Sequence, residues 1–265
     1  MNKTFTSDYV RYSMYAAQGS LLVTAHLGIV LTILRYKALS NSSEYAIIAG
    51  LSLADGLTAL GDLSAGFWRL NLIFSGRNLH RVSAQSCFFT PFNALWTGAW
   101  PVQGLMLCLM SFDRLFAVHR PLHYLSFSKS NRIRFLIYLN LLDLLVGFIL
   151  CLLAGLTVPD NEVNAICLTG WALRPDLHMF VLTVRYGGGL ISVVVYLLVI
   201  IIFKRKNAVS PSSGLFGVAV VAELKPVNPF CNLLIYFRRL PELRFALSNL
   251  IRCRNLPEEL RNWSL

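Results

Sequence analysis

Charge is scarce in this chain of 265 residues: only 14% are Asp, Glu, Lys or Arg, and 13 acidic residues face 24 basic ones. A soluble domain of this size needs far more charge to cover its surface. Histidine is sparse too. The five are His26, His80, His119, His123 and His178, and none sits deep in a later apolar stretch. That absence excludes an intramembrane serine protease built on Gly50-Leu51-Ser52, because its serine needs a histidine on a later span. Metal-ligand spacings and nucleotide-binding motifs are also missing. No metal, no cofactor and no enzymatic activity are therefore expected. Met1–Met14 is polar, so no cleavable signal peptide is expected, and the first apolar stretch would itself direct insertion.

What is abundant is apolar sequence, with 55% of residues hydrophobic. Six runs reach the length of a helical membrane span: Ala16–Leu34, Tyr45–Trp68, Cys87–Phe112, Phe135–Val158, Met179–Phe203 and Gly214–Phe237. The fold class expected is all-α, a polytopic membrane helix bundle, with short connections and no room for a soluble domain. The net charge of +11 raises the question of nucleic acid. The basic residues cluster beside span ends, which is the pattern of membrane orientation, so no nucleic-acid partner is expected.

Polar residues inside the runs stand out. Asp55 and Asp62 are seven apart, almost two helical turns, so they share a face. A carboxylate at membrane depth must look into the bundle. Asp143 lies in the fourth run, and Arg185 with Gly187-Gly188-Gly189 in the fifth, where the glycines loosen the helix or allow close contact. Pro91 and Pro101 should kink the third run. Asn71–Ser86 and Pro159–Pro175 read as polar outward loops, which hold Arg77, Arg81 and Cys167. Cys87 and Cys167 share the outward side and form the candidate disulfide pair. Cys108, Cys151 and Cys231 read as packing residues, and Cys253 lies in the basic tail. Pro241–Arg254 reads as a short amphipathic helix on the membrane surface.

The third run ends Ser111-Phe112-Asp113-Arg114-Leu115-Phe116-Ala117-Val118-His119-Arg120-Pro121-Leu122-His123-Tyr124. This resembles the signature that closes the third helix of rhodopsin-like G-protein-coupled receptors, and the chain is similar to nematode serpentine chemoreceptors, especially class Sx. The resemblance implies that Asp113 and Arg114 form the G-protein switch, with Tyr196 on the fifth helix and Asn232 and Tyr236 near the end of the last segment. It implies that Asp55, with Asn228, is the intramembrane sodium and switch site, and that Cys87 joins Cys167. Trp100, Gln103, Tyr186 and Glu223, with Trp96 and Arg185 beside them, are the candidate ligand pocket. The implied partners are a heterotrimeric G protein, an extracellular small-molecule or peptide ligand, and the lipid bilayer.

There are departures. Gly28-Ile29 stands where the family has Gly-Asn, the fourth-helix tryptophan is absent, and Asn232-Leu233-Leu234-Ile235-Tyr236 lacks its proline. Nothing resembles a sixth helix, since Asn207–Ser213 leads straight from the fifth run to the last. Charge supports a lost span. The loops after runs one, three and five carry ten Lys or Arg, the opposite side six, with Arg69 counted in the loop after run two, and the tail six more. Six crossings would put the tail on the opposite side and erase the bias, whereas one missing crossing restores a clear positive-inside pattern. The expectation is one receptor-like domain over 1–254, its sixth helix absent between 204 and 214, and a short cytoplasmic tail over 255–265. Such a chain is expected at the plasma membrane, with retention in the endoplasmic reticulum and loss of signalling as consequences of truncation. The competing reading is a six-span transporter or channel, but neither inverted repeats nor a polar stripe through several helices supports it.

Overall fold

The computed structural model describes residues 3–40, 43–77, 80–120, 129–158 and 161–207, together with position 248. Among the described residues five long helices dominate: α1 (Lys3–Arg35), α3 (Ser43–Phe74), α5 (Pro91–His119), α6 (Lys129–Leu156) and α8 (Pro175–Asn207). Short elements lie between them: α2 (Lys37–Ser40), β1 (Arg81–Ser83), α4 (Ala84–Phe88), β2 (Glu162–Asn164) and α7 (Thr169–Ala172). Each long helix holds a stretch long and apolar enough to cross a membrane: Ser7–Arg35, Tyr45–Phe74, Pro91–His119, Ile137–Leu156 and Pro175–Ile202. Hydrocarbon offers no partner to backbone N–H and C=O groups, so a spanning chain must satisfy them within the helix. Large apolar side chains such as Phe67, Phe148 and Leu190 are correspondingly exposed on these helices. The protein is all-α and an integral membrane protein. The sixth apolar run, Gly214–Phe237, and the surface helix expected over Pro241–Arg254 lie outside the described residues, apart from position 248 in that helix.

Several boundaries differ from the sequence expectation. Helix α1 starts well before Ala16, because its first turns need only helical propensity and not apolarity. Cys87 is not on the third long helix but on α4, whose N-terminus is capped by the Ser83 hydroxyl accepting from Ser86 N–H at 3.2 Å. Pro91 does not kink a helix. It opens α5 at the first helical position, where its missing N–H costs nothing, while Pro101 sits inside. Helix α3 runs on to Phe74 and ends at Gly76, whose φ of +67° suits glycine. Gly76 N–H bonds to Ile73 C=O at 3.1 Å and Arg77 N–H to Leu72 C=O at 3.0 Å, closing the helix by satisfying two of its last carbonyls. The two loops expected to face outward are not wholly irregular: β1 and β2 pair antiparallel, Arg81 opposite Asn164, Val82 opposite Val163 and Ser83 opposite Glu162.

The chain divides into two compact units. The first takes Met1–Leu27, Leu53–Gln103 and Asp143–Arg185. Its core gathers Phe88, Phe92, Trp96, Val163, Leu173, Cys87 and Cys167. Small residues bring its helices close. A Cβ on Gly19 would strike the backbone of Leu63, one on Gly66 the backbone of Ala16, and one on Gly147 the Gly98 carbonyl. The second unit takes Gly28–Ser52, Gly104–Leu142 and Tyr186–Leu265. Among its described residues Ile29, Ile33, Ile47, Leu51, Met106, Val195, Tyr196 and Val199 are buried.

Candidate functional site

In the first unit a disulfide ties Cys87 on α4 to Cys167, with Cα atoms 5.3 Å apart. Cys167 takes a φ of +53°, which a non-glycine residue adopts only when its surroundings hold it there. Two buried side chains do so. Arg69 donates from Nε to Ile166 C=O at 3.0 Å and from Nη2 to Cys167 C=O at 3.2 Å. Asn93 donates to Cys87 C=O at 2.9 Å and to Cys167 C=O at 3.4 Å, and its Oδ1 accepts from Thr169 Oγ1 at 2.7 Å. Trp68 Nε1 adds a bond to Ala165 C=O at 3.4 Å. The segment around Cys167 is thus bound to α4 by a covalent link and to α3 and α5 by the polar network around it.

Arg69 was expected in a loop. Instead it is 3% exposed within the second span. Its guanidinium lies over the rings of Tyr12, Phe92 and Trp96 at 5.5, 5.1 and 5.7 Å. These π faces and the two carbonyls offset the desolvation of the charge. Trp96 stacks on Trp100, one turn along α5, at 5.7 Å and 18°. Arg185 on α8 covers the far end of this ladder, 4.8 Å from the Trp100 ring. Asp62 is partly buried and interacts electrostatically with Arg185 and Arg69. Of the sequence-expected pocket residues, Trp96, Trp100 and Arg185 come together here. Tyr186, at 62% exposed, lies on the outer surface of α8. Gln103, one turn along α5 from Trp100, donates from Nε2 to Asp55 Oδ1 at 2.6 Å, with both residues buried.

In the second unit, Ser111 and Ser192 hydroxyls are hydrogen-bonded and buried. Ser111 donates its proton to Leu107 C=O at 2.7 Å, so Ser192 is the donor between the two. Gly188 meets Gly104 so closely that a Cβ would collide with the Gly104 backbone, and Cys108 Sγ donates to Gly188 C=O at 3.3 Å. Helices α5 and α8 are therefore in backbone contact one level away from the serine pair. Tyr196 lies one turn beyond Ser192 and is 4% exposed. Asp113 and Arg114, in the last turns of α5, are partly buried. Glu223, Asn228, Asn232 and Tyr236 lie outside the described residues. Sequence reasoning missed Asn93, Thr169, Ser111 and Ser192, whose residue types carry no local signal. Arg69 did have one, a cation at the edge of an apolar run.

Residues 21–216 match the family model described as serpentine type 7TM GPCR chemoreceptor Srsx. The chain belongs to this family. The match takes in the Asp55–Gln103 pair, the disulfide and Asp113-Arg114, and it ends ahead of Asn228, Asn232 and Tyr236. No curated protein matches this receptor-family chain with significant similarity.

Proposed function

We propose that this serpentine receptor senses an extracellular small molecule or peptide and couples to a heterotrimeric G protein at the cytosolic end of α5. One observation carries the reading: Asp113-Arg114 closes a spanning helix in a chain of a chemoreceptor family. The acid beside the arginine gives it a partner at the low-dielectric edge of the membrane, and exchange of that partner for a G-protein helix is the switching step. Asp55 and Tyr196 belong to the same switch, together with Asn228, Asn232 and Tyr236. Trp100, Gln103 and Glu223 line or border the ligand pocket, and Tyr186 flanks it. The receptor domain covers 1–254 without a sixth helix between 204 and 214, followed by a cytoplasmic tail at 255–265. It acts as a receptor and not as an enzyme, and it works at the plasma membrane.

The test is expression of the full chain with G-protein activation, surface delivery and solute uptake measured in the same cells. Activation that Arg114→Ala abolishes at unchanged surface level supports the reading. Surface delivery with uptake and no activation points to a transporter. Retention in the endoplasmic reticulum assigns the lost helix as the defect.

A further inference from the structure

Outside the apolar spans, the first unit holds an open cleft of about 690 Å³ lined by Arg81, Glu162, Asn164, Trp171 and their neighbours. That volume falls in the range of small-ligand sites. Its walls follow from the pairing of β1 with β2. Arg81 stands opposite Asn164 and Ser83 opposite Glu162, so Arg81 and Glu162 share one face of the ribbon as diagonal neighbours. Diagonal side chains start about 7–8 Å apart. Both are exposed, and no ion pair joins either of them to another described residue. A cation and an anion therefore look into one cleft across a gap that neither closes. Trp171, on α7 at the rim, is half exposed. The floor is firm: Val163 and Leu173 belong to the buried core that contains Cys87 and Cys167. A cleft already formed spares its ligand the cost of ordering it.

We propose that this cleft binds an α-amino-acid zwitterion with an apolar side chain, its carboxylate on Arg81, its ammonium on Glu162 and its side chain against Trp171. A free amino acid and a short peptide with charged termini share this chemistry. The inference rests on the receptor reading only for the side of the membrane the cleft faces. Its test reads binding alone, so a failure to signal and a failure to bind remain distinguishable.

The experiment uses the full chain in lipid nanodiscs with radiolabelled L-phenylalanine. Competitors are its methyl ester, which lacks the carboxylate, N-acetyl-phenylalanine, which lacks the ammonium, and the dipeptide Phe-Gly. Saturable binding is expected, with the ester and the N-acetyl compound each weaker by about tenfold or more, as loss of a charged hydrogen-bonded contact implies. Arg81→Gln should weaken phenylalanine but leave the ester unchanged, and Glu162→Gln should weaken phenylalanine but leave the N-acetyl compound unchanged. Trp171→Ala should weaken all of them. Phe-Gly binding tighter than phenylalanine assigns a peptide, and weaker binding a free amino acid. The proposal is overturned if wild type shows no saturable binding of phenylalanine or Phe-Gly. It is equally overturned if both blocked compounds bind as well as phenylalanine, or if the two charge variants weaken every compound alike.

Discussion

Gln103 on α5 donates from Nε2 to Asp55 Oδ1 on α3 at 2.6 Å, and both side chains are shut away from solvent. The pair couples the two helices through a contact that hydrocarbon cannot replace. Gln103→Leu removes the donor and leaves the acid short of a partner, which costs about 1–3 kcal/mol. Thermal unfolding of the purified protein should fall accordingly. Gln103→Leu combined with Asp55→Leu should recover part of that loss, because burying two apolar groups is cheaper than burying an acid that has lost a hydrogen-bond donor. An unchanged unfolding temperature in the single variant would show that the contact contributes nothing.

Arg69 holds the loop carbonyls of Ile166 and Cys167. Arg69→Leu keeps an apolar side chain of moderate size but strips Ile166 C=O of its donor and leaves Cys167 C=O only the longer bond from Asn93. Hydrogen exchange should then speed up across 161–172 with the disulfide intact, and stability should drop by about 1–3 kcal/mol per buried acceptor left bare. Exchange confined to its wild-type rate would refute the role.

The disulfide closes a sequence separation of 80 residues. Cys87→Ser should lower stability by about 2–5 kcal/mol, as loss of native disulfides commonly does. Cys167→Ser should match it, and the double variant should add nothing further, since each single change already breaks the one bond. Denaturation of the three variants compares them directly.

The three glycines of α8 should separate in their response to alanine. At Gly188 a Cβ collides with the Gly104 backbone, so Gly188→Ala should destabilise by about 1–3 kcal/mol, as overpacking does. At Gly187 and Gly189 nothing lies within 4 Å of the added carbon. There alanine should stabilise by about 0.5–1 kcal/mol through its better helix propensity. Equal responses at all three positions would exclude a special contact at Gly188.

Much of this protein was legible in the sequence because the deciding physics is local. Apolar runs long enough for a bilayer are local features, so the all-α class, the membrane location and five of the six expected spans, those among the described residues, could be read residue by residue. Sidedness was enough to nominate Cys87 with Cys167. The Asp113-Arg114 motif named the family that residues 21–216 then matched.

Tertiary structure alone decided which polar groups meet. The bond from Gln103 to Asp55, 48 residues away, exists only because α3 and α5 approach each other there. Arg69 reads as a loop residue until the chain 97 positions later brings Ile166 over it. Strands of three residues leave no periodicity to detect, yet their pairing puts Arg81 and Glu162 on one face of a cleft. Apolarity is a property each segment carries with it, whereas the partner of a buried charge exists only once distant segments are in place.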